Sequence, residues 1–204
     1  VSGLHEEQAR PRTTIVDTVS YRGLTAGREY RLEGTVVDAA TGIPLDGPDG
    51  SPLTAVHQFV ATGRSGIERI AFEFDATGLA GHSVVVFERL YQGNHAIATH
   101  CDLTSQEQTV RLVSLKTTAV DKVSGSHIGD AAPETTVVDT VTFQGLEAGA
   151  HYQLVGVLMD QSSRTPLLGK DGREIVVTRA LVPLEPDGSA VMEFNLDSCP
   201  LFGP

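Results

Sequence analysis

Thr13-Thr14-Ile15-Val16-Asp17-Thr18-Val19 returns later in the chain as Thr135-Thr136-Val137-Val138-Asp139-Thr140-Val141. Successive side chains of an extended strand point to opposite faces. Ile15, Asp17, Val19 and Tyr21 therefore share one face, and Val16, Thr18 and Ser20 the other. Similar short segments, rich in Val, Ile, Thr and Phe and bounded by Gly, Pro and Asn, recur along the chain. They predict strands over Thr14–Tyr21, Glu29–Asp38, Thr54–Ala61, Ile67–Asp75, Ser83–Tyr91, Ala96–His100 and Glu107–Leu115. Seven or eight such strands per copy indicate an all-β protein made of immunoglobulin-like antiparallel β-sandwiches.

The two opening runs belong to one long repeat. Residues 1–82 align with 123–204 without a gap, at a constant offset of 122, and 31 of the 82 pairs are identical. That period is too long for a solenoid unit and fits a globular domain, which predicts two tandem domains, 1–113 and 114–204. The first is expected to begin after its opening strand, and the second to stop before its last strands. Gln108–Leu115 runs directly into Lys116–Asp121, and so short a linker favours a stiff rod. The Gly/Pro/Asp-rich stretch Ala39–Pro52, echoed by Gln161–Gly172, reads as a surface loop.

Composition excludes several functions. At 40% hydrophobic and 20% charged residues the chain of 204 can bury a core. A net charge of −11 argues against nucleic acid or an anionic membrane as partner. No apolar run is long enough to insert in a bilayer, and no signal peptide is visible. Cys101 and Cys199 fall at non-equivalent points of the repeat, so both read as unpaired. The aspartates Asp38, Asp46, Asp49, Asp160 and Asp171 lack the dense alternation of a calcium loop, and the histidines form no metal spacing. No metal and no cofactor are expected. A hydrolase triad fails as well, because no Ser sits on a nucleophile elbow.

Several ionisable or amide groups land on apolar strand faces. Asp17 lies with Ile15 and Val19, and Asp139 with Val137, Val141 and Phe143. Glu88 lies with Val84, Val86 and Leu90, and Gln108 with Val110 and Leu112. Thr117 shares a face with Leu115 and Ala119, whereas Thr118 points with Lys116. A buried carboxylate is costly unless protonated or paired, and two sharing a site hold one proton between them. An acid repeated at the same inward position needs a reason.

The run Ile15-Val16-Asp17-Thr18-Val19, then Gly23-Leu24 with Gly27 and Tyr30, Val85-Val86-Phe87-Glu88, and His100-x-Asp102 followed by Gln108-Thr109-Val110 resemble the VaFE-repeat, or Thr–Gln ester-bond, domains. These are immunoglobulin-like stalk domains of Gram-positive surface adhesins. Lys116-Thr117-Thr118-Ala119 is similar to the family's opening strand. The resemblance implies an extracellular, cell-wall-anchored stalk module whose complete domains form an autocatalytic internal ester. A Thr hydroxyl on the first strand attacks the amide of a Gln on the last, and ammonia leaves. Carried over, Gln108 is the acyl component, Asp17 and Glu88 share and shuttle the proton, and His100 helps stabilise the oxyanion. Thr117 is the nucleophile of the second copy, with Thr118 the alternative, and Asp139 its acid. Such a reaction is single-turnover self-processing, so the protein is not expected to be an enzyme.

By the repeat, the nucleophile of the first copy would lie six residues before Val1, and the second copy would need counterparts of Glu88, His100 and Gln108 beyond Pro204. No ester is therefore expected within one chain of this length. Neighbouring repeats of the same protein are the expected partners, with strand exchange between molecules as a second route. The alternative reading is a ligand-binding adhesin module that uses the 39–52 and 161–172 loops. The absence of Trp and a content of only 5% aromatics argue against it.

Overall fold

The computed structural model describes residues 5–202, and among them every regular element is a strand except a 3-10 turn at Cys199–Phe202. The strands are β1 (Glu6–Gln8), β2 (Thr13–Arg22), β3 (Glu29–Asp38), β4 (Thr54–Val60), β5 (Ser65–Phe74), β6 (Ser83–Gln92), β7 (His95–His100), β8 (Thr109–Asp121), β9 (Thr135–Gln144), β10 (Tyr152–Val157), β11 (Val176–Leu181) and β12 (Gly188–Leu196). The chain divides into two compact units, Val1–Ser114 and Leu115–Pro204. No helix among the described residues is long and apolar enough to cross a membrane.

In the first unit, β2 and β5 form one antiparallel sheet with Ile15 opposite Phe72 and Asp17 opposite Ile70. The facing sheet runs β4–β3–β6, and the two ends of β6 pair with different partners. Ser83–Val85 pairs with the start of β8, while Glu88–Gln92 pairs with β7. The short β1 joins β8 in parallel. Between the sheets lie Ile15, Leu32, Val36, Ile70, Phe72, Val84, Val86 and Leu112, all buried. The expected alternation holds on β3, where Tyr30, Leu32 and Val36 are buried and Arg31, Glu33 and Thr35 are only partly so. Gly34 continues the inward face because nothing larger fits. A Cβ there would stand 2.5 Å from the tip of the Phe72 ring.

The second unit repeats four strands of this plan, with β9–β12 standing where β2–β5 stand in the first. β9 pairs with β12, with Val137 opposite Phe194 and Asp139 opposite Met192, the same register displaced by 122 residues. β10 pairs with β11, and Val141, Leu154, Ala190, Met192 and Phe194 form the core. Gly156 meets Phe194 as Gly34 meets Phe72, with a Cβ 2.6 Å from the ring. Even the loop bridges recur, Val37 to Pro44 matching Met159 to Pro166. The aspartates of the long loops serve their own turns. Asp49 Oδ1 accepts from the Ser51 amide and hydroxyl, and Asp160 Oδ1 accepts from the Ser162 and Ser163 hydroxyls.

Two expectations are corrected. Glu107–Leu115 and Lys116–Asp121 are not separate strands, since β8, Thr109–Asp121, is one strand of 13 residues. Gln108 does not lie on it. Residues 106–108 form a turn, closed by the Gln108 amide donating to the Ser105 carbonyl, and pairing with β6 begins only at Thr109 opposite Val85. Turn bonds have taken the backbone groups that the ladder would need.

Candidate functional site

Three elements of the first unit converge on one point between its sheets. β2 contributes Asp17 from one sheet, β6 contributes Glu88 from the other, and the turn before β8 contributes Gln108. Glu88 sits at the centre and is only 4% exposed. Its Oε2 accepts a hydrogen bond of 2.8 Å from Gln108 Nε2. Among the described residues its Oε1 has no hydrogen-bond donor, and neither does the buried Asp17 Oδ2. The two carboxylates interact directly. One proton shared by the two carboxylates relieves such buried oxygens, where two ionised groups would leave them unpaired at about 1–3 kcal/mol each.

The electrostatics agree. Burial pushes the Glu88 carboxyl up to about 8, reinforced by its hydrogen bond with Asp17 and by the Asp17 charge, while the Gln108 amide pulls the other way. Glu88 is thus the proton-bearing partner near neutral pH.

That shift carries a stability prediction. The folded pKa lies above the ordinary value of 4.5, so folding favours the protonated form. The contribution of Glu88 is fully present below about 4.5 and is lost as pH rises through about 8. Urea midpoints of the wild type and Glu88→Gln, compared across this range, should diverge in that sense. A constant difference would contradict it.

His100 ends β7 directly opposite Glu88 in the ladder. Its Nδ1 is 3.7 Å from Glu88 Oε2, an ion-pair separation and too long for a hydrogen bond, and its side chain is 56% exposed. Among the described residues nothing donates to the buried Gln108 Oε1, so no hydrogen bond from them polarises the amide carbonyl. An open cleft of about 530 Å³ lies over the set, lined by the Asp17–Arg22 stretch of β2, by Ala98–His100 and by Gln108.

In the second unit the repeated acid meets the opening strand. Asp139 is pushed up by burial and drawn back by the Thr117 hydroxyl and the Thr118 backbone amide, both of which donate to it. Its Oδ1 has no hydrogen-bond partner among the described residues. Thr117 thus brings its hydroxyl to the acid, while Thr118 meets it through the main chain alone. The structure gathers Asp17, Glu88, His100 and Gln108 in the first unit, and Thr117 with Asp139 in the second. Among the described residues, no group of three or more His, Cys, Asp or Glu is placed to hold a metal ion. Cys101 and Cys199 are both free and exposed.

A model of the T-Q ester bond containing domain matches residues 2–112 and again residues 113–202. No curated protein sequence matches the chain. Among solved structures, two crystal forms of a bacterial adhesin from Mobiluncus mulieris are similar. It is described as containing intramolecular disulfide, isopeptide and ester bond cross-links. One form shares 14% identity over 94% of this chain and 95% of that one, with a TM-score of 0.47. The other shares 15% over 97% and 96%, with a TM-score of 0.46.

Proposed function

Since the chain belongs, in both of its units, to the family of T-Q ester bond containing domains, we propose that it is a stalk segment of a bacterial surface adhesin, anchored to the cell wall. Each complete domain welds its first strand to its last by a Thr–Gln ester. The observation that carries this reading is the buried Glu88, bonded through one oxygen to the Gln108 amide nitrogen and interacting with Asp17.

The chemistry follows from that arrangement. A Thr hydroxyl attacks Gln108 Cδ, the Oγ–Cδ bond forms and the Cδ–Nε2 bond breaks. The hydroxyl proton passes to the carboxylate pair, and the pair returns a proton to Nε2, which departs as ammonia. Glu88 already touches the nitrogen that must be protonated, as a general acid requires. His100 is the group that meets the oxyanion on Gln108 Oε1, by a side-chain movement from the cleft rim. In the second unit the hydrogen bond from Thr117 to Asp139 represents the nucleophile's half of the same reaction. Holding the threonine on a strand and Gln108 on the turn that leads into β8 supplies an effective concentration of about 10⁵ M or more. The finished bond carries tension along covalent links and restrains the unfolded chain as a disulfide does, by roughly 2–4 kcal/mol.

The test uses the repeat itself. Copying Leu115–Lys122 directly ahead of Val1 places a threonine six residues before Val1, in the register that Thr117 keeps to Val123. The intact mass of that extended chain is expected to fall by one ammonia, with Gln108 joined to the added threonine in the peptide map. Retention of the ammonia by the folded, extended chain refutes the reading.

A further inference from the structure

We propose that Thr109 is a positioning residue for Gln108, acting through the carbonyl of Ser105; this deepens the reading above and takes the ester-forming role of Gln108 from it. The chain leaves β7 at His100, opposite Glu88, and joins β8 at Thr109, opposite Val85. Both ends of the intervening segment are therefore pinned to β6, three residues or about 10 Å apart. Gln108 stands at the Val85 end, and its amide must reach back along β6 to Glu88. A glutamine side chain has freely rotating torsions, so its aim depends on how firmly its backbone is held.

A chain of small bonds holds that backbone. Asp102 Oδ1 accepts from the Thr104 amide at 2.9 Å and from the Thr104 hydroxyl at 2.7 Å. The Ser105 amide donates to the Asp102 carbonyl at 3.3 Å, and the Gln108 amide to the Ser105 carbonyl at 3.3 Å. Both backbone bonds are long. The tight closure comes from the Thr109 hydroxyl, which donates to the same Ser105 carbonyl at 2.7 Å. Thr109 is well suited to it. It is partly buried, its β-branch stiffens χ1, and its backbone is already fixed in the ladder. Leu103 braces the far side of the segment, its Cδ1 lying 3.2 Å from where a Cβ on Gly42 would stand.

Thr109→Val keeps the shape and removes the hydroxyl, and Thr109→Ser keeps the hydroxyl. In the chain as it stands, Thr109→Val should speed hydrogen exchange of the Gln108 side-chain amide by roughly three- to tenfold, as expected for a loosened hydrogen bond to Glu88, and Thr109→Ser should restore the wild-type rate. In the chain extended with Leu115–Lys122, Thr109→Val should slow ester formation by up to about 10²-fold, again rescued by serine. Wild-type exchange in Thr109→Val, or a serine variant that behaves like valine, overturns the proposal. If the extended wild type forms no ester, the functional reading fails, and amide exchange still decides whether Thr109 aims Gln108.

Discussion

In the extended chain, Glu88→Gln is expected to slow ester formation by about 10²–10⁴-fold, the range that a positioned general acid–base contributes. The substitution is nearly isosteric. Its carbonyl oxygen can still accept from Gln108 Nε2, and its new amide can donate to Asp17, so the strands and the Gln108 geometry are retained. What it removes is the transferable proton. Without it the hydroxyl keeps its hydrogen and the nitrogen must leave as an amide anion, far poorer than ammonia. Intact mass followed over time reads the rate directly. A Glu88→Gln variant that loses ammonia as fast as the wild type would show that Glu88 only fills the site.

Phe72→Ala should lower the stability of the first unit by about 3–5 kcal/mol, the usual cost of removing a buried phenylalanine. Phe72 is 1% exposed and its ring tip occupies the space above Gly34. Adding Gly34→Ala refills a little of that volume, so the double variant should be less destabilised than the sum of the two singles. Alone, Gly34→Ala forces a Cβ against the ring and should cost about 1–3 kcal/mol. Urea unfolding followed by tyrosine fluorescence suits the test, because three of the four tyrosines, Tyr21, Tyr30 and Tyr91, belong to the first unit and the chain has no Trp. Strict additivity would mean that Gly34 and Phe72 do not share the space.

Strand positions were legible because alternation is a local property. Asp17 and Glu88 could be assigned to inward faces from their neighbours alone, and the 122-residue offset carried Asp139 along with Asp17. Gln108 was legible as a chemical group but not in its backbone setting. Its apolar partners Val110 and Leu112 extend a strand pattern back across it, and nothing local marks where turn bonds replace the ladder. The Ser105–Thr109 closure went unread for a related reason, since a serine carbonyl four residues from a threonine is common in any loop. Thr117 and Thr118 are a further case. Alternation favoured Thr117, but only the packing of β8 beside β9 brings its hydroxyl to Asp139.

The amino-acid order by itself set the strand faces, the doubling of the fold and the types of chemical group inside it, because these follow from spacing along one chain. Which of those groups meet was decided by sheet pairing. Glu88 finds Gln108 across twenty residues and Asp17 across seventy-one. The raised pKa of Glu88 arises only there, since desolvation and a second carboxylate act on it once both sheets have closed over the pair.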